Sequence, residues 1–198
     1  MSDIRPRIVL ASASPRRREL LAEAGYDFVV VPPHESAECG PRPGEPAAAL
    51  VARLARQKAA EVAARCDAGL VLGCDTVVEC RGQILGKPED RTHARQMLER
   101  LRGQEHFVYS GLCLWPVPDG QPRVRVAITR LIMDSISDRQ LAGYLDSGQW
   151  QGKAGAFGYQ DGHDWLQILE GSESNVVGLP LELLAEMLQS WQQEANLG

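Results

Sequence analysis

Three consecutive arginines stand where the first apolar strand of the chain gives way to a helix. The strand is predicted at residues 7–11, and Ser14 and Pro15 are typical of the N-cap and first position of the helix that follows. Arg16, Arg17 and Arg18 fill the first helical turn, where positive charge opposes the helix dipole. Such a turn is either a solvated basic surface or a site that binds an anion between backbone N–H groups and guanidinium forks.

Lysine is rare in this chain, which carries most of its positive charge as arginine. Of 21 Lys and Arg residues, only Lys58, Lys87 and Lys153 are lysines. An ammonium is a compact point charge suited to a phosphate oxygen. Lys87 and Lys153 each follow a glycine, where the backbone can approach a ligand closely. The alternative is that these three lysines occupy their positions by chance.

Asp75 directly follows an apolar run that is predicted as a strand over residues 70–74. Ligands of open α/β sheets gather at the carboxyl ends of strands. An aspartate in that position can hold a metal ion or act as a general base. It can equally be an aspartate that caps a turn.

A glycine-dense segment at residues 152–160 ends in Gln160, whose amide could both donate to and accept from the edge of a nucleobase. A flexible surface loop is the alternative. Residues 82–88 superficially resemble a P-loop, but one residue is missing between the glycines and Pro88 replaces the magnesium-binding Ser or Thr. This departure disfavours a Walker-type ATPase or kinase.

Composition narrows the functional class. The 198 residues carry a net charge of −5, which argues against non-specific binding to nucleic acid or to an anionic membrane. No apolar run approaches the length of a membrane span, and the N-terminal residues lack the apolar core of a signal peptide. The five cysteines are odd in number and form no C-x-x-C pair, which disfavours disulfides and structural zinc. A cytoplasmic protein is expected.

Hydrophobic periodicity predicts strands that alternate with helices. Strands are expected at residues 7–11, 26–31, 70–74, 105–115, 123–134 and 165–169, with a hairpin formed by residues 76–80 and 83–85. Helices are expected at residues 15–24, 46–65 and 91–102, from Ser137 to about Gly148, and from Pro180 onward. The order predicts an α/β fold with a mixed sheet.

These motifs, in this order, resemble the Maf family of nucleotide pyrophosphatases. The matching pieces are residues 10–21, 54–59, 73–78, 82–90, 153–160 and 175–181. The resemblance implies a Maf-like α/β fold: a mixed β-sheet flanked by helices around a central cleft, in a single domain over residues 1–198 that could form two lobes. It implies cleavage of a nucleoside triphosphate to a monophosphate and pyrophosphate with Mg²⁺ or Mn²⁺, a homodimer, and an association with restraint of cell division.

The resemblance also assigns roles to individual residues. Asp75 matches the catalytic aspartate, a proton acceptor that also holds the metal. Glu35, favoured over Glu38, matches an acidic residue of the loop and is the second predicted metal ligand. The positions that match the phosphate pocket are Ser12, Arg16, Arg17, Lys58 and Lys87.

Three further matches concern the base. Arg16, Thr76 and Gln160 agree with the group similar to dTTP/UTP pyrophosphatases and differ from the group that acts on 7-methyl-GTP. The chain departs from the family pattern at Gly152, Phe157, Tyr159, Asp161 and His163, which flank Gln160. A different base preference is therefore one alternative. Another is a regulatory protein of cell division that binds nucleotides without turning them over.

Overall fold

A mixed sheet of seven strands forms the centre of the part of the chain that the structure describes. The structure is a computed structural model that describes residues 7–34 and 40–195. The strands are β1 (Ile8–Ala11), β2 (Phe28–Val30), β3 (Gly69–Cys80), β4 (Gln83–Leu85), β5 (Glu105–Val117), β6 (Arg123–Met133) and β7 (Leu166–Glu170). The strand order is β2-β1-β3-β5-β6-β7, and β4 pairs with β3. β1 runs parallel to β2 and β3, and the remaining pairs are antiparallel.

Helices cover both faces of this sheet. The helices of the described residues are α1 (Pro15–Glu23), α2 (Ala47–Ala63), α3 (Arg91–Leu101), α4 (Asp138–Ser147), α5 (Glu173–Val177) and α6 (Leu181–Ala195). Two short 3₁₀ turns, Ala154–Ala156 and Tyr159–Asp161, follow α4.

Strand alternation divides the core between the two faces. Ile8 and Leu10 of β1 pack in a cluster with residues of α1 and α6, whereas Val9 and Ala11 pack in a cluster with α2. Another cluster joins α3 and α4 to the Phe157 segment. The sheet is therefore buried between layers, as the predicted α/β architecture requires.

The predicted fold class is confirmed, and most predicted helix and strand bounds lie within a few residues of the observed ones. The capping box of α4 is also confirmed: Ser137 accepts from the backbone N–H of Gln140, whose side chain in turn accepts from the backbone N–H of Ser137. Ser14 does lie at the N-cap of α1, but its side chain makes no capping hydrogen bond. The short helix α5 was not predicted.

One strand prediction was wrong. Residues 70–74 and 76–80 form a single strand, β3, so Asp75 lies within a strand and not at its carboxyl end. The reason is β5, which pairs continuously with β3 and places Gly111 opposite Asp75. The chain turn does follow at Arg81, where β3 and β4 form the predicted hairpin.

No helix in the described part of the chain is both long and apolar enough to cross a membrane.

Candidate active site

A gap in the sheet positions the candidate site. β1 pairs with β3 only as far as Gly73, and β4 begins its pairing at Val78. Between them, residues 74–77 of β3 have no strand partner on this edge among the described residues. The other edge of β3 is paired with β5 from Gly69 to Glu79, so the gap lies on one edge only.

A cavity of about 740 Å³ lies at this gap. Its polar lining includes Ser12, Arg16, Arg17, Lys58, Thr76, Lys87, Gln151, Lys153 and Gln160. Seven of the sequence-predicted site residues (Ser12, Arg16, Arg17, Lys58, Thr76, Lys87 and Gln160) thus border one space. Asp75 does not line the cavity directly, but its partner Lys58 does.

Close packing of α2 brings Lys58 to the sheet. A Cβ at Gly73 would lie 2.2 Å from the Ala55 carbonyl oxygen, and one at Gly111 would lie 2.2 Å from the Val51 carbonyl oxygen. Because these two glycines have no side chains, α2 rests directly on the backbone of β3 and β5. Lys58, one turn beyond Leu54, then reaches the gap.

Lys58 and Asp75 form a buried ion pair. Lys58 Nζ donates to Asp75 Oδ1 at 2.7 Å, and the side chains are 7% and 13% exposed. Asp75 points toward α2, whereas the next residue, Thr76, points to the opposite face. The predicted catalytic carboxylate is therefore held by the ammonium that borders the cavity.

Arg17 bridges the two sides of the gap. Its Nη1 donates to Ser12 Oγ at 3.1 Å and to the Cys74 carbonyl at 2.8 Å. Its Nε donates to the Gly178 carbonyl at 2.9 Å, and its Nη2 donates to Thr76 Oγ1 at 3.2 Å. The guanidinium thus takes the place that a neighbouring strand would fill, and it fixes the positions of Ser12 and Thr76.

Arg16 approaches the cavity from the same helical turn. Its Nη2 donates to the Gly152 carbonyl at 2.8 Å, which joins α1 to the segment after α4. Burial, together with the neighbouring charge of Arg17, lowers the pKa of the Arg16 guanidinium. Burial removes water from the Arg16 guanidinium, and Arg17 places a second positive charge close to it. An anionic ligand would offset both effects, so the site favours one.

The opposite wall carries Lys87 and Gln160, both of them exposed side chains. The Gly155 N–H donates to the Gly86 carbonyl at 3.0 Å, so the two wall segments are joined beside Lys87. The Lys87 ammonium and the Gln160 amide therefore face the same space as the arginines of α1.

Part of the lining is apolar. Those side chains include Val78, Val108, Phe157, Val176 and Val177. Asn175 anchors α5 there, because its Nδ2 donates to the Val108 carbonyl at 3.1 Å and to Thr129 Oγ1 at 2.9 Å. The cavity thus combines cationic and apolar surfaces, as a ligand with a charged part and a flat part requires.

The structure does not describe the predicted loop ligands. Glu35 and its alternative Glu38 fall outside the described residues, while Pro33 lines the cavity. Among residues 7–34 and 40–195, no group of three or more His, Cys, Asp or Glu side chains could hold a metal ion. Asp75 is therefore the one predicted metal ligand whose position the structure gives.

The family resemblance did not assign two groups of the site. Lys153, one of the three lysines that the sequence indicated for an anion, lines the cavity and is paired with Asp161. The Gly178 carbonyl accepts from Arg17. No sequence signal indicated this carbonyl, because every residue has one.

The family follows from a match over nearly the whole chain. Residues 7–191 match the model described as "Maf-like protein". The chain belongs to the Maf-like protein family. The glycine-rich segment, the α1 arginines and the β3 aspartate described above are all parts of this Maf-like region.

Relatives of this Maf-like chain share most of its length. A dTTP/UTP pyrophosphatase of Rhodopirellula baltica is 56% identical over 190 residues, which are 96% of this chain and 84% of the relative. A dTTP/UTP pyrophosphatase of Pelotomaculum thermopropionicum is 40% identical over 93% of this chain and 96% of its own. One of Geobacter sulfurreducens is 40% identical over 92% of this chain and 95% of its own.

Proposed function

We propose that this Maf-like protein is a nucleoside triphosphate pyrophosphatase that hydrolyses dTTP, UTP or related modified nucleotides to the monophosphate and pyrophosphate. The observation that carries the proposal is the shared cavity: Arg16, Thr76 and Gln160, which match the dTTP/UTP group, all line it together with the lysines. The identity of 56% to a dTTP/UTP pyrophosphatase supports the same activity.

The charges of the cavity suit a triphosphate. The chain as a whole carries a net charge of −5, yet Arg16, Lys58 and Lys87 converge on one space. Cleavage moves negative charge onto the departing pyrophosphate, so catalysis depends on positioning and electrostatic stabilisation. Cationic groups already fixed in a partly buried site stabilise that charge without reorganising when the reaction occurs.

Asp75 is the proposed general base. Water attacks the α-phosphorus, a new oxygen–phosphorus bond forms, and the bond from the α-phosphorus to the oxygen bridging the α and β phosphates breaks. Asp75 accepts the proton of the water, and pyrophosphate leaves with the electron pair of the broken bond. Lys58 orients the carboxylate through its 2.7 Å hydrogen bond.

A divalent cation fits this proposal. Mg²⁺ commonly binds through one or two carboxylates together with substrate phosphates, and Asp75 supplies one carboxylate beside the cationic wall. Asp75 and Glu35 are the residues that would hold Mg²⁺ or Mn²⁺. When bound, the cation would screen the charge of the phosphate oxygens.

A panel of triphosphates tests the proposal. The purified chain is incubated with dTTP, UTP, CTP, dATP and dGTP in the presence of Mg²⁺ or Mn²⁺, and both pyrophosphate and orthophosphate are measured. We expect metal-dependent release of pyrophosphate, fastest with dTTP or UTP. Orthophosphate as the product would contradict attack at the α-phosphorus, and nucleotide binding without any product would favour the regulatory alternative.

The proposal also covers the location, the oligomeric state and the domain organisation of the enzyme. The enzyme acts in the cytoplasm, in keeping with the free thiols of Cys66, Cys74, Cys80 and Cys113. It forms a homodimer, which light scattering after size-exclusion chromatography would check. Residues 1–198 act as one domain, in keeping with the single sheet to which all the described strands belong.

A further inference from the structure

A second buried ion pair lies in the wall of the cavity, on the side of the sheet away from Asp75. Lys153 Nζ lies 2.5 Å from Asp161 Oδ1 and 2.6 Å from Asp161 Oδ2, and the side chains are 11% and 8% exposed. Lys153 lines the cavity. Its ammonium is therefore neutralised by a carboxylate that holds it with both oxygens.

Asp161 is held from a second direction by α4. The Tyr144 hydroxyl donates to Asp161 Oδ2 at 2.9 Å. Burial, followed by the carboxylate of Asp161, raises the pKa of Tyr144, so the hydroxyl keeps its proton and remains a donor. The Tyr144 ring packs edge-on against His163 and Trp165, with centroids 5.0 and 5.5 Å away.

Aromatic contacts continue in the chain after Asp161. The His163 ring stacks on Trp165 with centroids 4.9 Å apart. Before Asp161, a Cβ at Gly158 would lie 2.4 Å from Lys153 Nζ and 2.6 Å from Asp161 Oδ2, so the ion pair rests directly on the Gly158 backbone. The 3₁₀ turn Tyr159–Asp161 is thus anchored at both ends.

Gln160 is the middle residue of that turn, and its side chain is exposed at the cavity. Within residues 7–34 and 40–195, no hydrogen bond holds the Gln160 side chain. The backbone of the turn therefore sets the point from which the Gln160 side chain reaches into the cavity, and Asp161 provides the side chain that fixes that backbone.

We infer that Asp161 is a positioning residue, which acts through Gln160 to set the preference of the cavity for one nucleobase over another. This inference rests on the proposed function, because it assumes that the cavity binds a nucleotide whose base faces Gln160. An amide discriminates between bases well only when the backbone that carries it is held at a constant distance from the base. Without the ion pair, the turn relaxes and the backbone of Gln160 samples several positions.

A double-mutant cycle tests the inference. Wild type, Asp161→Ala, Gln160→Ala and the double variant are compared by the ratio of kcat/KM for dTTP to that for dGTP. We expect each single variant to lower this ratio by about tenfold, and the double variant to lower it no further, because both changes remove the same contact. Fully additive losses, or an unchanged ratio in Asp161→Ala, would overturn the inference.

Matched variants separate positioning from folding. Asp164→Ala removes an exposed carboxylate three residues away, so it changes the net charge equally and is expected to leave the ratio unchanged. Asp161→Asn keeps an oxygen that accepts from Lys153 and Tyr144, and is expected to retain most of the preference. If Asp161→Ala fails to fold, Tyr144→Phe removes one hydrogen bond only, and an unchanged ratio in that variant would overturn the inference.

Binding of the monophosphates distinguishes this inference from the proposed function. Dissociation constants for dTMP and dGMP are measured by calorimetry for the same four proteins. A wild type that cleaves no triphosphate, yet prefers dTMP with the same non-additive cycle, would refute the proposed function and support the inference. A wild type that binds both monophosphates equally, or neither, would overturn the inference.

Discussion

Lys58 of α2 and Asp75 of β3 are joined by a hydrogen bond of 2.7 Å beneath the gap in the sheet, with both side chains more than four-fifths buried. Removing these two charges from water costs free energy, and only their mutual attraction offsets that cost. The pair links the helix face to the strand that crosses the site. Its integrity therefore affects both stability and the proposed chemistry.

Replacing the carboxylate of Asp75 is expected to stop the reaction while the chain remains folded. Asp75→Asn is nearly isosteric but cannot accept a proton at neutral pH, so turnover should fall by at least about 100-fold, the scale of general-base catalysis. Pyrophosphate release measures the loss, and circular dichroism checks the fold. Near-normal turnover would remove Asp75 from its proposed role.

The two partners of the pair are expected to be coupled in stability. Lys58→Met leaves Asp75 buried without its cation and should cost about 3–5 kcal/mol in the free energy of unfolding. The double variant with Asp75→Asn should recover part of this loss but none of the activity. Urea denaturation of the four proteins measures the coupling, and strictly additive losses would show that the pair contributes no coupling energy.

Arg17 is expected to be much less replaceable than its neighbour Arg18. Arg17→Lys cannot supply the planar fork that reaches Ser12, Cys74, Thr76 and Gly178 together. Loss of these hydrogen bonds should lower the free energy of unfolding by about 1–3 kcal/mol. Turnover should also fall, because Thr76 and Ser12 shift. Arg18→Lys alters an exposed side chain and serves as the control. Equal effects of the two variants on Tm and turnover would contradict this role.

The close approach of α2 to the sheet predicts a sharp contrast between two glycines. Gly111→Ala would place a Cβ 2.2 Å from the Val51 carbonyl oxygen, so α2 must move and carry Lys58 with it. We expect Gly111→Ala to lower the free energy of unfolding by about 1–3 kcal/mol and to reduce turnover. Gly143→Ala, in α4 with nothing within 4 Å, should instead stabilise by about 0.4–1 kcal/mol. Thermal unfolding measures both changes: we expect the Tm to fall in Gly111→Ala and to rise in Gly143→Ala. Equal Tm values for the two variants would contradict the close approach of α2.

His106 is expected to make folding sensitive to mild acid. Burial lowers the pKa of His106 to about 4 from its ordinary value near 6.5. The unfolded chain therefore binds the proton more readily, so stability is complete above about pH 6.5 and is lost as pH falls toward 4, by up to about 3 kcal/mol.

His106→Gln should flatten this dependence, because its neutral amide can still donate to the Gln104 carbonyl. Urea unfolding of wild type and variant at several pH values between 4 and 7 measures the difference. Parallel curves for the two proteins would show that His106 does not contribute. Because the other titrating groups are common to both proteins, their contributions cancel in this comparison.

Local patterns in the sequence predicted much of the fold. The apolar run of β1, the capping box at Ser137 and the apolar face of α2 are each decided by residues close together in the chain, so periodicity and capping chemistry identify them. The family motifs also indicated residues that border one cavity. Boundaries set by distant pairing were less predictable: β3 continues through Asp75 because β5 pairs with it there.

Only the tertiary structure decided how the charged groups are used. The sequence determined that Arg17, Lys58 and Lys153 exist in an acidic, arginine-rich chain, and motif order determined the family. It could not determine that Lys58 is paired with Asp75, or that Arg17 holds Thr76 across a gap in the sheet. Such contacts join residues 17 to 59 positions apart, and their strength depends on burial and direction, which arise only when the layers pack.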